Sequence, residues 1–262
     1  MRVKFIITID DAEEATLKLI LEKNPDIPVV VGIPAGLIGK KFEDKTIASK
    51  ELIIDVIRNL NVELASHSYY HNPPGYDLRR GLKIFFSRIR EFPDRSGYLL
   101  RALEFLKNKR WISKHLEFDI FKEIVVSKRT LEKEFMTNVI TFLYPGGYFS
   151  KDMLDLVKQN YNFARTSEIG VNNIADMQHN PEKFLLKTIS ITKYTNFSKV
   201  ERYYEDFLKK EDENKEFIVI ETYHILSKSK SKDLYGHLYS DFEEHYKNLK
   251  KVGSICKFSD FE

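Results

Sequence analysis

A chain of 262 residues, 42% hydrophobic and 13% aromatic, carries enough apolar material for a packed core, which excludes disorder over most of its length. Its 42 basic and 39 acidic residues leave a net charge of +3, so composition gives no global case for a nucleic acid or an acidic polymer as partner. The single cysteine, Cys256, cannot form an internal disulfide, the first residues read as a strand rather than a secretory leader, and no apolar run reaches the roughly 18 residues of a membrane span. The expectation is a cytoplasmic protein of one domain, 1–262.

In chain order, the apolar run Val3–Ile9 reads as a buried strand that ends on adjacent Asp10 and Asp11. A helical stretch, Ala12–Lys23, leads to a second strand, Ile27–Ile33, and a helix follows over Ser49–Leu60. The third strand, Val62–Ala65, runs into His67 and His71, four positions apart. On a helical turn both imidazoles would lie on one face, about 5–6 Å apart at Cβ, close enough to share a metal ion; taken alone, the pair suits solvated histidines as well. From Tyr76 to Lys114 eleven basic residues stand against four acidic ones, a surplus of +7, interleaved with Phe85, Phe86, Phe92, Tyr98, Phe105 and Trp111. That segment reads as a basic helical insertion: a solvated face over a buried aromatic stripe, a contact with a second copy of the chain, or a face for an anionic membrane surface. A nucleic-acid reading of the same residues is set aside.

A helix is predicted over Phe118–Phe135 and a strand over Val139–Leu143, which ends on Tyr144-Pro145-Gly146-Gly147. Glycines there make a turn, and their bare backbone also lets N–H groups approach a substrate. Next come a helix, Lys151–Gln159, a strand, Tyr161–Ala164, followed by Arg165, and a strand over Leu185–Ile191. A helix, Lys199–Lys209, and a strand, Phe217–Thr222, lead to Tyr223-His224; a helix over Tyr239–Lys250 and a strand over Ser254–Phe258 complete the chain. Strand alternating with helix argues for a parallel sheet, and about eight strands suggest a barrel of the (β/α) type, whose chemistry sits at the C-terminal strand ends. Asp10, Asp11 and His67 fall at such ends.

Together these stretches resemble the polysaccharide deacetylase family, carbohydrate esterase family 4, whose pattern is T-x-D-D at the first strand, H-[ST]-x-x-H at the third, a Pro-containing Gly turn and a Leu/His pair near the end. Here the matching residues are Thr8-Ile9-Asp10-Asp11, His67-Ser68-Tyr69-Tyr70-His71, Tyr144-Pro145-Gly146-Gly147 and Tyr223-His224. The resemblance implies an α/β fold, a distorted barrel of about seven or eight strands with 76–114 inserted, a divalent metal, usually zinc, and hydrolysis of an N-acetyl or N-formyl amide on an amino sugar or sugar conjugate. By position it implies Asp11, His67 and His71 as metal ligands, Asp10 as general base, His224 as general acid and the Gly146 N–H as oxyanion donor. Tyr144, Pro145, Gly147, Arg165 and Tyr223 are then expected around the substrate.

The sequence also departs from the pattern. The family arginine that pairs with the base, two residues before the proline, is Leu143, and Arg165 is the candidate to supply the missing cation. Gly146 stands where an aromatic residue often follows the proline. The later D-x-x-D-W motif that supports the acid histidine is absent, which leaves Asp176 and Glu168 as candidate partners of His224. Two rival readings are a hydrolase of cyclic amides or ureides on a related barrel and a non-catalytic carbohydrate-binding barrel. A complete set of ligands with both Asp10 and His224 favours the deacetylase.

Overall fold

The run Val3–Ile9 forms the central strand, β1, buried along its length except at Lys4, as expected of a parallel strand covered on both faces. The computed structural model describes residues 2–23, 27–72, 119–178, 182–230 and 233–262. The expected insertion over 76–114, with the oligomer and membrane contacts assigned to it, lies outside the described residues.

One edge of β1 pairs in parallel with β10 (Phe217–Tyr223), from Val3 opposite Phe217 to Ile9 opposite Tyr223. Its other edge is shared: β2 (Val29–Ile33) takes the upper half and β13 (Ser254–Cys256) the lower. Beyond β2 the order continues in parallel through β5 (Val62–Ser66), β6 (Thr141–Leu143) and β7 (Phe163–Arg165). The sheet then curls back on itself. Leu186 bridges to Arg165, and a few residues on β9 (Ile189–Ser190) pairs with β10, so one short segment joins the two sides of a distorted barrel. The predicted strand over Leu185–Ile191 is thus divided between two partners. A two-residue strand, β8 (Asn172–Asn173), lies antiparallel to the start of β10.

Alternation sorts the side chains of these strands. Ile6, Val30, Ala65, Leu143, Phe163, Ile218 and Ile220 form the inner cluster, while Phe5, Ile7, Ile9, Val31, Val219 and Tyr223 belong to the larger one on which the helices lie. The helices are α1 (Glu14–Lys23), α2 (Lys50–Asn59), α3 (Ser127–Phe135), α4 (Lys151–Asn160), α5 (Phe197–Lys210) and α6 (Tyr239–Val252). Ser49, Ser150 and Asn196 accept from backbone N–H groups at the starts of α2, α4 and α5, so the predicted boundary residue Ser49 is a cap rather than a first turn. Before α3 the chain makes a π-helical turn, Lys122–Val126, inside what the sequence predicts as one uninterrupted helix. Two small paired units, β3 (Lys41–Phe42) with β4 (Lys45–Thr46) and β11 (Ile225–Ser227) with β12 (Gly236–Leu238), are too short to leave a period-two signal. No described helix is long and apolar enough to cross a membrane.

Candidate active site

Register brings the site together. Because Ile9 pairs with Tyr223, Asp10 and His224 leave the sheet side by side, and Asp10 N donates to Tyr223 O at 2.8 Å. Ser66 lies opposite both Ile33 and Phe142, so His67 emerges beside Leu143, which in turn pairs with Arg165. Gly32 of β2 lies between them: a Cβ there would sit 2.7 Å from Leu143 Cδ1, 3.5 Å from His67 Cβ and 3.6 Å from Asp10 Cα. A glycine inside a strand run is the signal of such a close approach.

Asp10 is buried, and both its oxygens accept from Arg165 Nη2, at 2.5 and 2.7 Å. Arg165 therefore supplies the cation that Leu143 cannot, from the neighbouring strand, while Leu143 turns into the inner cluster. Burial alone would raise the Asp10 carboxyl, but the Arg165 guanidinium, with His67 and His224, outweighs it and holds the group below its ordinary value. His224 Nε2 stands 3.9 Å from Asp10 Oδ2, with its ring against Tyr235. Burial pushes the His224 imidazole down to about 4, against the pull of both aspartates.

Asp11 divides its two oxygens. Oδ2 accepts from Lys45 Nζ at 2.5 Å, across from the β3–β4 hairpin. Oδ1 is buried without a hydrogen-bond partner and lies 3.2 Å from His71 Nε2 and 3.6 Å from His67 Nε2. His67 Nδ1 donates to the Leu143 carbonyl at 2.8 Å, since a carbonyl can only accept, which turns Nε2 towards the site. Burial lowers the His71 ring to about 3, so it presents a neutral nitrogen. Among the described residues, Asp11, His67 and His71 are the one group of three histidine, cysteine or acidic side chains whose ligand atoms all lie within 4.8 Å of one another. An orphaned carboxylate oxygen and two imidazole nitrogens are a donor set that fits a divalent ion with open positions left for water and substrate.

The two histidines converge without a helix. Residues 67–72 form no helical turn; Ser68 and His71 instead adopt left-handed φ values of +66° and +58°. The expected helical face is replaced by a strained loop whose backbone is held from outside. Pro145-Gly146-Gly147 makes the turn after β6, with Gly147 N donating to Tyr144 O at 2.8 Å. At Gly147, φ is +77° and a Cβ would lie 1.9 Å from Ser167 Oγ, so no other residue fits. Gly146 is exposed and its carbonyl accepts from Ser167 Oγ.

Three expected substrate contacts are corrected. Tyr144 packs on Phe142 and Phe149 in the helix-side core, and Tyr223, also in that core, donates to Glu221 Oε2, because outward positions alternate with inward ones along β6 and β10. Arg165 is spent on Asp10 rather than on the substrate wall. Neither acidic candidate orients His224: Asp176 accepts from Asn173 N in the cap of its own turn, and Glu168 is exposed. Lys45 and Glu123, whose carboxylate holds the histidine loop, escaped the sequence reading; a lone acid among Phe121, Ile124 and Val125 is the signal that marks Glu123.

No sequence-family model and no curated protein sequence matches the chain. Among solved structures, a de-N-acetylase from Aggregatibacter actinomycetemcomitans superposes over 76% of this chain and 74% of its own, at a TM-score of 0.50 and 13% identity. The chain shares the fold of this deacetylase. Weaker likenesses include a polysaccharide deacetylase from Bacillus cereus (TM-score 0.44, 16% identity, 70% of this chain) and a carbohydrate esterase family 4 pseudoenzyme from Bacillus anthracis (TM-score 0.45, 12% identity, 98% of this chain). The chain spans 45% of the first of these and 64% of the second.

Proposed function

We propose that the chain is a metal-dependent amide hydrolase that removes an N-acetyl or N-formyl group from an amino sugar or sugar conjugate, with zinc as the ion. The observation that carries this reading is the pairing of two differently held aspartates at one strand end: Asp11 with a free buried oxygen facing two imidazoles, and Asp10 locked by Arg165 beside His224. A barrel that merely bound carbohydrate would need neither the ligand set nor the acid–base pair.

Asp11, His67 and His71 would hold the ion, which when bound supplies an acidified water and positive charge for a developing oxyanion. Asp10 takes the proton of the attacking water. The Gly146 N–H, in the turn beside the His67-bound strand end, is the protein donor proposed for the oxyanion, a contribution worth roughly 2.7–4 kcal/mol in other enzymes. An amine leaves only when protonated, and His224 is neutral in the resting chain, so its proton has to arrive during the reaction. Asp10 Oδ2, 3.9 Å from His224 Nε2, is placed to pass it on through one water.

Acetate and formate release, measured over a panel of N-acylated amino sugars with zinc added, tests the reading. Asp10→Asn and His224→Ala should each keep bound zinc and lose at least about 10²-fold in turnover. Turnover that survives both changes, or exhaustive chelation, would refute the assignment.

A further inference from the structure

The loop that carries His71 does not hold its own shape. Ser68 and His71 sit in the left-handed region, which a non-glycine residue keeps only if its surroundings over-determine it. On one side the turn after β2 supplies N–H groups: Ala35 N donates to Ser68 O and Gly36 N to Tyr69 O, at 3.0 and 2.8 Å. On the other side stands the helix that begins before α3. Its Ser127 Oγ donates to Ser68 O at 2.8 Å.

Its buried Glu123 does more. Oε2 accepts from both Tyr69 N and Tyr70 N, each at 2.9 Å, and Oε1 accepts from Asn72 Nδ2 at 3.3 Å. These contacts bracket His71 on both sides in sequence. The π-helical turn Lys122–Val126 contains Glu123, and the Ile124 carbonyl accepts from Tyr161 Oη at 2.8 Å, which fixes the turn to the barrel. Such turns are rare in helices and are frequent at functional sites.

We propose that Glu123 is a positioning residue for the metal site: its carboxylate clamps the 69–72 backbone so that His71 Nε2 meets Asp11 Oδ1. The inference rests on the reading of His71 as a metal ligand. Residues that orient a ligand without touching the ion typically set 10–100-fold in metal affinity.

The test is zinc affinity of the full chain, measured by competition with a chromogenic chelator, with the visible absorption of the cobalt-loaded protein as a record of the ligand set. Glu123→Ala should weaken zinc binding at least about tenfold and change the cobalt spectrum as His71→Ala does. Glu123→Gln should restore binding, because its carbonyl oxygen can accept the same two N–H groups. Should the alanine variant fail to fold, Glu123→Asp, one methylene too short to reach both donors, should show the loss instead. In the double variant Glu123→Ala/His71→Ala, affinity should be no weaker than in His71→Ala alone, since one change acts through the other. Wild-type affinity in both the Ala and Asp variants, or losses that add in the double variant, would overturn the inference while leaving the metal site intact. Wild-type affinity in His71→Ala would remove the metal reading, and the inference with it.

Discussion

Asp10 and Asp11 are neighbours with opposite tasks, and their partners create the difference. Arg165 holds both oxygens of Asp10 through one charge-assisted N–H group and leaves acceptor sites for a proton, whereas Lys45 takes one oxygen of Asp11 and leaves the other for a ligand role. Removing the guanidinium would leave Asp10 buried with less compensation and raise its carboxyl, because the largest opposing influence on its burial is gone. Arg165→Met should therefore move the acid limb of the pH–rate profile upward and lower turnover near neutral pH, with zinc retained. An unshifted acid limb would mean that Asp10 is not the base. The T-x-D-D stretch shows in sequence that both carboxylates stand at a strand end; which one is free to bind a cation depends on Arg165, 155 residues away.

Between β10 and the helices α5 and α6 lies a second buried charge network. His245 of α6 shares Nε2 with Glu221 Oε1 at 2.8 Å and Nδ1 with Glu201 Oε1 at 2.7 Å, and its ring stacks on Phe197. Tyr204 and Tyr223 donate to the two Glu221 oxygens at 2.7 Å each, so the carboxylate is fully satisfied. Burial would lower the imidazole, but Glu221 and Glu201 outweigh it and raise it to about 9. The folded value thus lies above the unfolded value of about 6.5. Stabilisation by the imidazolium is complete below that unfolded value and is lost as pH rises through about 9; its size is on the order of 3 kcal/mol. Denaturant midpoints should fall between pH 7 and 10, and His245→Gln should flatten that fall while lowering the midpoint at pH 7. A midpoint independent of pH in the native chain would show that the ring is not charged in the fold. Helical spacing made α5 and α6 predictable, but not that Glu201, Glu221 and His245 would meet, since the helix period gives a face and not its depth or partner.

The barrel as a whole is a device for bringing strand ends to one mouth, and an ion held there would tie β1 to the loop after β5. If zinc binds the folded chain and not the unfolded one, a concentration one hundred times its dissociation constant adds about 2.7 kcal/mol, or about 5–10 °C in melting temperature for a chain of this size. His71→Ala should abolish that shift without lowering the melting temperature of the metal-free protein by a similar amount. A shift retained in the variant would place the ion elsewhere. What the sequence determined by itself is local: buried strand runs, helical stretches, and the residue types at the ends of β1, β5, β6 and β10, all of which follow from periodicity and composition within a dozen residues. What the tertiary structure decided is every pairing between distant parts: Arg165 with Asp10, Lys45 with Asp11, Glu123 with the histidine loop, and the outward turn of Tyr144 and Tyr223. The reason is physical. A one-residue slip in register reverses the face of every side chain on a strand, and the register that closes this barrel is set by packing over the whole sheet rather than by any stretch that can be read alone.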